Sequence, residues 1–520
     1  VRVEGGTEVP VLDLYKVTDA AEKQKRAEEY VNALTPYVEN MPQAHSECHQ
    51  VSENQLTDVD YDEKNCILGA TDILLDTMML SLPAKQILAG AGSGTPEEKA
   101  QNIVRSMDAM EEMMYLFYQH KGLNKNAAAA VDQIPKRHLN IRYQRMFAGA
   151  FMYAGGNHIG IEYGSAPGMI TGRSVQTDAD GKHVSGQYFG WGIAHEIGHD
   201  INQGAYAVAE ITNNYFSVLA QAKDTNDSVR FQYKNVYDKV TSGTKGRANN
   251  VFTQLGLYWQ LHLAYDDGYN YKTYENYDEQ LANLFFARVD TYARTPSKAP
   301  APGGVALTLT GDSDQKLMRL ACAAAQKDIL EFFERWGMTP DAGTIAYAGQ
   351  FEKETRAIFY ANDDARVYRL THNGSSLSAN SLTEAVGDGT AAAVDTDNKN
   401  KVDITLQSKN IPTEDILGYE ITRCVTSNGY VSEQPVGFAQ PGADGSSTFT
   451  DTVTTMNNRV VTYKVRVIDQ YLNRSAAKEL NPVKIEHQGE IDKTDWIVNV
   501  NNVEAHEDEI VTSANEIIST

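Results

Sequence analysis

The stretch AHEIGHDINQ, residues 194–203, places two histidines and a glutamate where they could act on one metal ion. On a helix, His195 and His199 are one turn apart and project from the same face. Zinc favours neutral imidazole nitrogens, so both rings could bind one zinc ion. Glu196, next to the first histidine, could take a proton from a water that this ion binds. The pattern alone is only a hypothesis, because it arises by chance in roughly a few per cent of chains of this length.

A catalytic zinc site needs a third protein ligand, and a carboxylate downstream could supply it. A third histidine six residues after His199 is excluded, because Ala205 stands there. Glu210 lies eleven residues after His199, which on one unbroken helix would be about 16 Å along its axis. The sequence therefore predicts that the helix ends near Asn202–Gly204 and that the chain folds back.

The segment AYAVAEITNNYFSVLAQ, residues 205–221, is predicted to be a new helix that carries Glu210. Asn214, four residues after Glu210, would then lie on the same helix face. A side-chain amide at that place could hydrogen-bond a ligand histidine and orient its ring.

HEIGH, together with Glu210 in EITNNYFS, resembles the enhancin-like peptidases, which are gluzincins of metallopeptidase family sixty. Three more stretches are similar to that family: EGGTEVPV near the N-terminus, LGLYWQLHLAYDD at 255–267 and FFERWGMTP at 332–340. The resemblance covers about residues 1–345 and implies that His195, His199 and Glu210 bind Zn²⁺ and that Glu196 is catalytic. One position differs, since the family's glutamine commonly falls three residues after the second histidine, whereas Gln203 falls four after.

The same resemblance implies a secreted or cell-surface bacterial enzyme that hydrolyses peptide bonds next to O-glycosylated Ser or Thr in mucin-type proteins. Two alternatives stay open: a general zinc endopeptidase without a glycan requirement, and a glycan- or host-surface-binding protein with an inactive metal site. Four residues are candidate oxyanion or substrate contacts, although packing is an alternative role for each: Tyr258, His262, Trp191 and His158.

The amino-acid composition of the chain argues against some classes of binding partner. The chain has 520 residues, of which 42% are hydrophobic and 22% charged, as in soluble globular proteins. Its net charge of −23 argues against nucleic acid and anionic membranes as partners. No apolar run reaches the roughly 18–20 residues of a membrane span, so we expect no membrane insertion. We expect a monomer whose partner is an O-glycosylated peptide or mucin. Cys48 and Cys66 are close enough in sequence for a disulfide, but buried free thiols are an equal alternative.

Helical signals dominate the first part of the chain. Thr95, Pro96 and Glu98 predict a helix start with a capping box, and Gly122 predicts its end. A second helix is predicted over SDQKLMRLACAAAQKDILEFFERWG, residues 313–337. Between them, RMFAGAFMYAGGNHIGIEYGS, residues 145–165, predicts one or two strands with a turn. Its part GGNHIGIEYGS could be an edge strand that pairs with an extended peptide.

After about residue 365 the residue pattern changes from one typical of helices to one typical of strands. KVDITLQS and VVTYKVRVID alternate apolar and polar residues, and turn-forming clusters separate such strands. Their order resembles a fibronectin type III-like β-sandwich. We therefore expect a multi-domain protein. Its predicted parts are a mainly helical α+β gluzincin-type zinc metallopeptidase region at 1–362 with a short β-sheet around 140–190, an all-β sandwich at 363–488, and an acidic tail or further domain at 489–520.

Overall fold

The structure is a computed structural model, and it describes most of the chain in ten segments. These are residues 8–40, 69–144, 150–179, 181–225, 232–266, 271–372, 382, 384–427, 430–454 and 459–486. The predicted tail at 489–520, Cys48 and Cys66 lie outside the described residues. Cys322 and Cys424 are buried free thiols.

The α-helices of the described residues are α1 (Ala20–Glu39), α2 (Ala84–Ala91), α3 (Pro96–His120), α4 (Gly190–Ile201), α5 (Asn214–Asp224), α6 (Tyr233–Thr241), α7 (Val251–Tyr265), α8 (Tyr277–Asn283), α9 (Phe285–Arg294), α10 (Ser313–Ala325), α11 (Leu330–Arg335), α12 (Ala342–Ala348) and α13 (Asp363–Thr371). The strands are β1 (Val11–Asp13), β2 (Ala70–Leu74), β3 (Met78–Pro83), β4 (Leu139–Tyr143), β5 (Met152–Gly155), β6 (His158–Ile161), β7 (Arg173–Thr177), β8 (His183–Gln187), β9 (Ala391–Val394), β10 (Lys401–Leu406), β11 (Ile416–Ser427), β12 (Tyr430–Ala439), β13 (Ser447–Thr452), β14 (Arg459–Asp469), β15 (Lys478–Glu479) and β16 (Val483–Ile485). None of the helices in the described segments combines the length and the apolar character of a membrane span.

The chain divides into two compact units, and each unit draws on more than one stretch of sequence. The first unit contains the described residues within 8–225, 250–328 and 341–352. The second unit contains the described residues within 232–249, 329–340 and 353–486. The boundaries at residues 362 and 488 stay predictions.

A six-stranded mixed sheet organises the first unit, with strand order β1-β2-β3-β4-β6-β5. The β2–β3 and β5–β6 pairs are antiparallel, whereas β1–β2, β3–β4 and β4–β6 are parallel. Strands β4 to β8 lie at 139–187, where the sequence predicts a short sheet, and the larger sheet extends further back in the chain, to β1 at Val11. Strands of three to six residues, such as β1 to β3, carry too little periodicity to be separated from helical sequence. The strand β5 forms one edge of this sheet and packs against α4.

The helix signals around Thr95 are confirmed. The Thr95 side chain accepts a hydrogen bond from the Glu98 backbone N–H, and the Glu98 side chain accepts one from the Thr95 backbone N–H. Pro96 is the first residue of α3. Gly122 follows the helix with φ +66°, a conformation that glycine adopts without strain. The predicted single helix at 313–337 is instead two helices, α10 and α11. Gln326 breaks it with φ +51°, in the left-handed region.

The strand-rich region of the second unit is present as predicted. One sheet has the order β13-β10-β9, and the other has the order β12-β11-β14-β15, with β16 also paired to β14. All of these pairs are antiparallel. The alternating residues predicted to face the core are buried in one apolar cluster, namely Val402, Ile404, Leu406, Val461, Tyr463, Val465 and Val467. The helix α6 also belongs to this unit, where the Tyr237 and Phe438 ring centroids are 4.7 Å apart.

Candidate active site

The helix α4 carries the His-Glu-x-x-His pattern and ends where the sequence predicts. Its last residue is Ile201, and Asn202 leaves the helix with φ −60° and ψ 149°. The chain then folds back through a turn region to α5, which begins at Asn214. Glu210 therefore precedes the new helix, and the expectation that it lies within a helix was wrong.

Local hydrogen bonds explain why the turn region is not helical. The Thr212 hydroxyl accepts from the Val208 N–H at 3.0 Å and from the Asn202 side-chain amide at 2.8 Å. Such side-chain bonds offer the backbone an alternative to helix hydrogen bonding. Glu210 itself has φ +64°, in the left-handed region that non-glycine residues seldom adopt. This backbone conformation is a feature of the turn that presents the carboxylate.

The carboxylate of Glu210 meets both histidines. His195 Nε2 is 3.2 Å from Glu210 Oε2, and His199 Nε2 is 3.2 Å from Glu210 Oε1. Two ligands of a tetrahedral zinc ion, each with a bond of about 2.0–2.1 Å, would be roughly 3.3 Å apart. The two imidazoles and the carboxylate are also the ligand types that zinc accepts. The residues present therefore fit a zinc ion.

Asn214 fixes the tautomer of the first histidine. Its Oδ1 lies 2.7 Å from His195 Nδ1, and its Nδ2 donates to the Glu210 backbone carbonyl at 2.7 Å. An amide oxygen only accepts, so His195 carries its proton on Nδ1. The lone pair of His195 Nε2 is then directed to the side where Glu210 lies, as a metal ligand requires.

Asn213 contacts both histidines, and we had not singled it out from the sequence. Its side chain is fully buried, and Nδ2 lies 3.1 Å from His195 Nδ1 and 3.1 Å from His199 Nε2. Within the described part of the chain, its Oδ1 is buried without a hydrogen-bond partner. The only sequence signal was its place beside Asn214 at the start of a helix.

Gly198 allows α4 to approach the start of α5. A Cβ atom at this position would lie 2.3 Å from the Asn213 carbonyl oxygen, which is a backbone atom and cannot swing away. The absence of a side chain therefore brings Asn213 and Asn214 within reach of the two histidines.

Glu196 faces an open groove of about 610 Å³. The groove is lined by Met152, Tyr153, Ala154, Gly155, Gly156, His195, Glu196, His199, Asp200 and Glu210. Burial raises the pKa of Glu196, and the charge of Glu210 adds to this, while His195 and a hydrogen bond from the Ala154 backbone oppose it. Burial also lowers the pKa of His199.

Asp200 is a third carboxylate in this groove, and the sequence alone does not mark it as functional. Burial, together with the charge of Glu196, raises its pKa to about 6. Its Oδ2 is buried and has no hydrogen-bond partner among the described residues. Its position directly after His199 was the only signal.

The four candidate oxyanion or substrate contacts do not line the groove. Tyr258 and His262 are buried, with 1% and 0% exposure, so the structure does not support a substrate contact for either. Trp191 is half-buried one turn before His195, and its ring meets Phe252 edge-on with centroids 6.1 Å apart. His158 lies on β6, where its ring meets the Tyr153 ring edge-on with centroids 5.5 Å apart.

His262 belongs to a second group of possible ligands, with His120 and Asp266, all buried. His262 Nδ1 lies 2.7 Å from an Asp266 oxygen. The Tyr215 hydroxyl stands between the two rings, 2.9 Å from His120 Nδ1 and 3.3 Å from His262 Nδ1. Because this hydroxyl fills the space between the rings, we assign the group to buried hydrogen bonding. Burial lowers the pKa of His120 to about 3, so its ring is neutral.

The chain is similar to known proteins in part of its sequence and in its fold. Residues 94–337 match the family model described as peptidase M60, enhancin and enhancin-like. The M60 catalytic domain of Clostridium perfringens ZmpC, in complex with the sialyl T antigen, superposes with a TM-score of 0.57 at 21% identity, covering 92% of this chain and 77% of that one. The ZmpB metallopeptidase of the same organism gives a TM-score of 0.57 at 20% identity, with 93% and 77% covered.

A metallopeptidase in complex with the Tn antigen gives a TM-score of 0.51 at 16% identity, covering 92% of this chain and 78% of that one. At such identities the structural matches establish the fold. No curated protein sequence matches the chain. Residues 94–337, which match the model of the enhancin and enhancin-like M60 peptidases, hold both histidines, Glu196 and Glu210.

Proposed function

We propose that this chain is a zinc peptidase that hydrolyses peptide bonds next to O-glycosylated Ser or Thr in mucin-type proteins. The observation that carries the proposal is the meeting of His195 Nε2 and His199 Nε2 at the Glu210 carboxylate, with Glu196 beside them in an open groove. The match of residues 94–337 to the M60 family model supports the peptidase chemistry. The glycan class is supported by two structurally similar proteins, whose complexes contain the sialyl T and Tn antigens.

The chemistry divides between the metal and one carboxylate. His195, His199 and Glu210 would hold zinc, which when bound polarises a carbonyl and makes a water more acidic. Glu196 takes the proton of the attacking water and later gives it to the leaving amine. A raised pKa makes this carboxylate a stronger base than an ordinary glutamate, which suits the acceptance of a proton from water. The hydrogen bond from Ala154 keeps the Glu196 carboxylate in the groove.

The strand β5 gives the groove a place for an extended substrate. It is an edge strand of the sheet, so one side of its backbone is free of strand partners among the described residues. An extended peptide can pair with such an edge through main-chain hydrogen bonds. The edge lies at Met152–Gly155, slightly earlier in the chain than the predicted stretch GGNHIGIEYGS.

The second unit has a different role in our proposal. Its two antiparallel sheets share one apolar core, which supports a fibronectin type III-like sandwich. We propose that it spaces the peptidase or directs it to its substrate, and that the protein acts as a monomer outside a bacterial cell or on its surface.

One experiment tests the proposed substrate class. Two synthetic peptides share one sequence, and one of them carries an O-linked glycan on a Thr. Each peptide is incubated with the zinc-loaded protein and with its Glu196→Gln variant. Mass spectrometry then identifies the cleavage products. We expect cleavage beside the glycosylated Thr and little cleavage of the bare peptide. A pocket that pairs with sugar hydroxyls leaves polar groups unpaired without the sugar, which can cost a factor of about 10⁴.

The outcomes separate the alternatives. Equal rates on both peptides would identify a general endopeptidase. No cleavage by a fully zinc-loaded protein would favour the binding protein with an inactive site. Cleavage that survives in Glu196→Gln, at unchanged zinc content, would exclude Glu196 as the proton carrier.

A further inference from the structure

The two faces of β5 are different. Met152 points to α4, since a Cβ atom at Gly192 on that helix would lie 3.0 Å from Met152 Sδ. Side chains alternate along a strand, so Tyr153 points to the opposite face of the sheet. We call this the outer face. Any extended peptide on the free edge of β5 would send alternate side chains to the outer face as well.

Three side chains cross the outer face from β4 to the edge. Arg142 on β4 donates from Nη2 to His158 Nε2 on β6 at 2.8 Å. The Tyr153 hydroxyl on β5 is 3.1 Å from the same nitrogen. Gly160 stands opposite both Arg142 and Tyr153 in the sheet register. A Cβ atom at Gly160 would be 2.1 Å from the Tyr153 ring, so this glycine lets the ring lie flat on the sheet.

The charge of this cluster is positive. A guanidinium only donates, so His158 Nε2 is an acceptor and the imidazole is neutral. Arg142 is exposed, and among the described residues it contacts His158 and forms no ion pair with a carboxylate. The cluster therefore has one uncompensated positive charge in a chain with a net charge of −23.

We propose that Arg142, His158 and Tyr153 form a subsite on the outer face that binds a carboxylate of the substrate. This rests on the proposed function, because the substrate must lie along β5. The planar guanidinium of arginine matches a carboxylate through two parallel hydrogen bonds. The flat Tyr153 ring beside it offers an apolar surface to the body of the group that carries the carboxylate. That group is an acidic sugar or an acidic side chain.

Binding in a non-cleaving background tests the subsite. Three fluorescent peptides of one length are used: one with a neutral O-glycan, one whose glycan also carries a carboxylate-bearing sugar, and one with the neutral glycan and a nearby Glu. Their Kd values are measured by anisotropy with Glu196→Gln and with the same protein containing Arg142→Gln, Arg142→Lys or Arg137→Gln. Arg137 is exposed and precedes β4, so Arg137→Gln changes the net charge equally without touching the cluster.

We expect Glu196→Gln to bind at least one carboxylate peptide about fivefold more tightly than the neutral peptide, as for a favourable exposed charge pair. Arg142→Gln should abolish this preference, Arg142→Lys should keep part of it, and Arg137→Gln should keep all of it. The peptide that shows the preference identifies the source of the carboxylate. The same preference in Arg142→Gln, or no preference in the parent protein, would overturn the subsite.

Failure of the subsite differs from failure of the proposed function. If the zinc-loaded protein cleaves the neutral glycopeptide, but the preference for a carboxylate peptide does not depend on Arg142, only the subsite is overturned. An Arg142-dependent preference without cleavage by the zinc-loaded protein supports the subsite and overturns the peptidase. Absence of binding for all three peptides overturns both.

Discussion

Glu210 holds its carboxylate against two imidazoles from a left-handed backbone position, and its side chain is 59% exposed. An exposed carboxylate would gain little from such contacts in water. The zinc ion that we propose, shared by all three groups, would account for this arrangement.

We predict that Glu210→Ala lowers zinc content sharply, because two histidines and water hold zinc less well than three protein ligands. Zinc per chain is measured by elemental analysis after dialysis against a weak chelator. Glu275→Ala, which removes a 78% exposed carboxylate elsewhere in the first unit, is the control. Unchanged zinc in Glu210→Ala would rule out this residue as a ligand.

Asn214 should raise the affinity for zinc although it is not itself a zinc ligand. Removing a partner that orients a ligand histidine typically costs about 10–100-fold in metal affinity. We therefore expect Asn214→Ala to weaken zinc binding by that factor, measured by competition with a chromogenic chelator. Asn214→Asp, which still accepts the His195 proton but cannot donate to the Glu210 carbonyl, should bind zinc more tightly than Asn214→Ala and less tightly than the parent protein. Equal affinity in Asn214→Ala would show that the hydrogen bond does not position His195.

The histidines and Glu196 could be predicted from sequence because a helix fixes their spacing within one turn. Glu210 could be predicted as a ligand candidate, but its backbone could not, since the left-handed turn depends on hydrogen bonds around Thr212. Asn213 and Asp200 were not predicted, because their surroundings exist only after the turn has closed.

At the scale of elements, Gly198 decides how closely α4 meets the start of α5. At an exposed position within a helix, a Gly→Ala substitution raises the free energy of unfolding by up to about 1 kcal/mol. Here we expect Gly198→Ala to destabilise the protein by roughly 1–3 kcal/mol, because overpacking against backbone forces a shift. Zinc content should fall with it, since α4 must move from Asn213 and Asn214.

Gly192→Ala is the control for this change. It lies in the same helix, but its new methyl would meet the flexible end of Met152. Chemical denaturation of both variants gives the comparison. A Gly198→Ala protein at least as stable as the parent would contradict the close approach.

Glu111 on α3 makes the contact between α3 and the start of β3 depend on pH. Its Oε1 accepts from the Thr77 N–H at 3.0 Å and hydroxyl at 2.7 Å, while Oε2 is buried without a hydrogen-bond partner among the described residues. Burial raises its pKa from 4.5 to about 7. The folded state therefore binds this proton more tightly than the unfolded state, and stability is lost as pH rises from 4.5 through 7.

We predict that Glu111→Gln removes this loss. Between pH 5 and pH 8 the parent should lose up to about 3 kcal/mol more unfolding free energy than the variant, as the shift in pKa requires. Urea denaturation at the two pH values measures the difference. Glu97→Gln, an exposed change on the same helix, should follow the parent. Parallel losses in Glu111→Gln and the parent would mean that Glu111 is ionised in the folded protein.

Elements with strong local signals were the ones that could be predicted. The capping box of α3 and the alternation of β10 and β14 act through neighbours in sequence, so both were found. The break at Gln326 was missed because its sequence is a good helix former and the left-handed turn depends on later packing. The strands β1 to β3 were missed because pairing partners, and not propensity, stabilise such short segments.

At the scale of the whole molecule, the second unit is assembled from three stretches of chain. Within it, Tyr237 is buried against Tyr360 and Phe438, and Trp336 is fully buried. A chain that ends at residue 352 would retain the segments at 232–249 and 329–340 but lose the strands of that unit.

We expect this truncated chain to aggregate or unfold at a markedly lower temperature than the full chain, because large aromatic side chains lose their core. Light scattering during a thermal scan measures this. The strands alone, residues 384–486, are the complementary control and should also be destabilised without α6. A truncated chain as soluble and stable as the full one would show that the two early segments do not need the strands.

Because the second unit consists of three stretches of chain, its parts are synthesised at different times. Tyr237 leaves the ribosome roughly 200 residues before Phe438, which at about 5–20 residues per second is a delay of roughly 10–40 s. The sequence of the first unit is complete at residue 352, before any strand of the second unit has been made. The nascent chain therefore carries an amphipathic helix whose apolar residues, such as Val236 and Tyr237, lack their partners in the strands for most of that interval. A chaperone that covers residues 232–249 during this interval would therefore raise the yield of folded protein, because exposed apolar surface promotes aggregation.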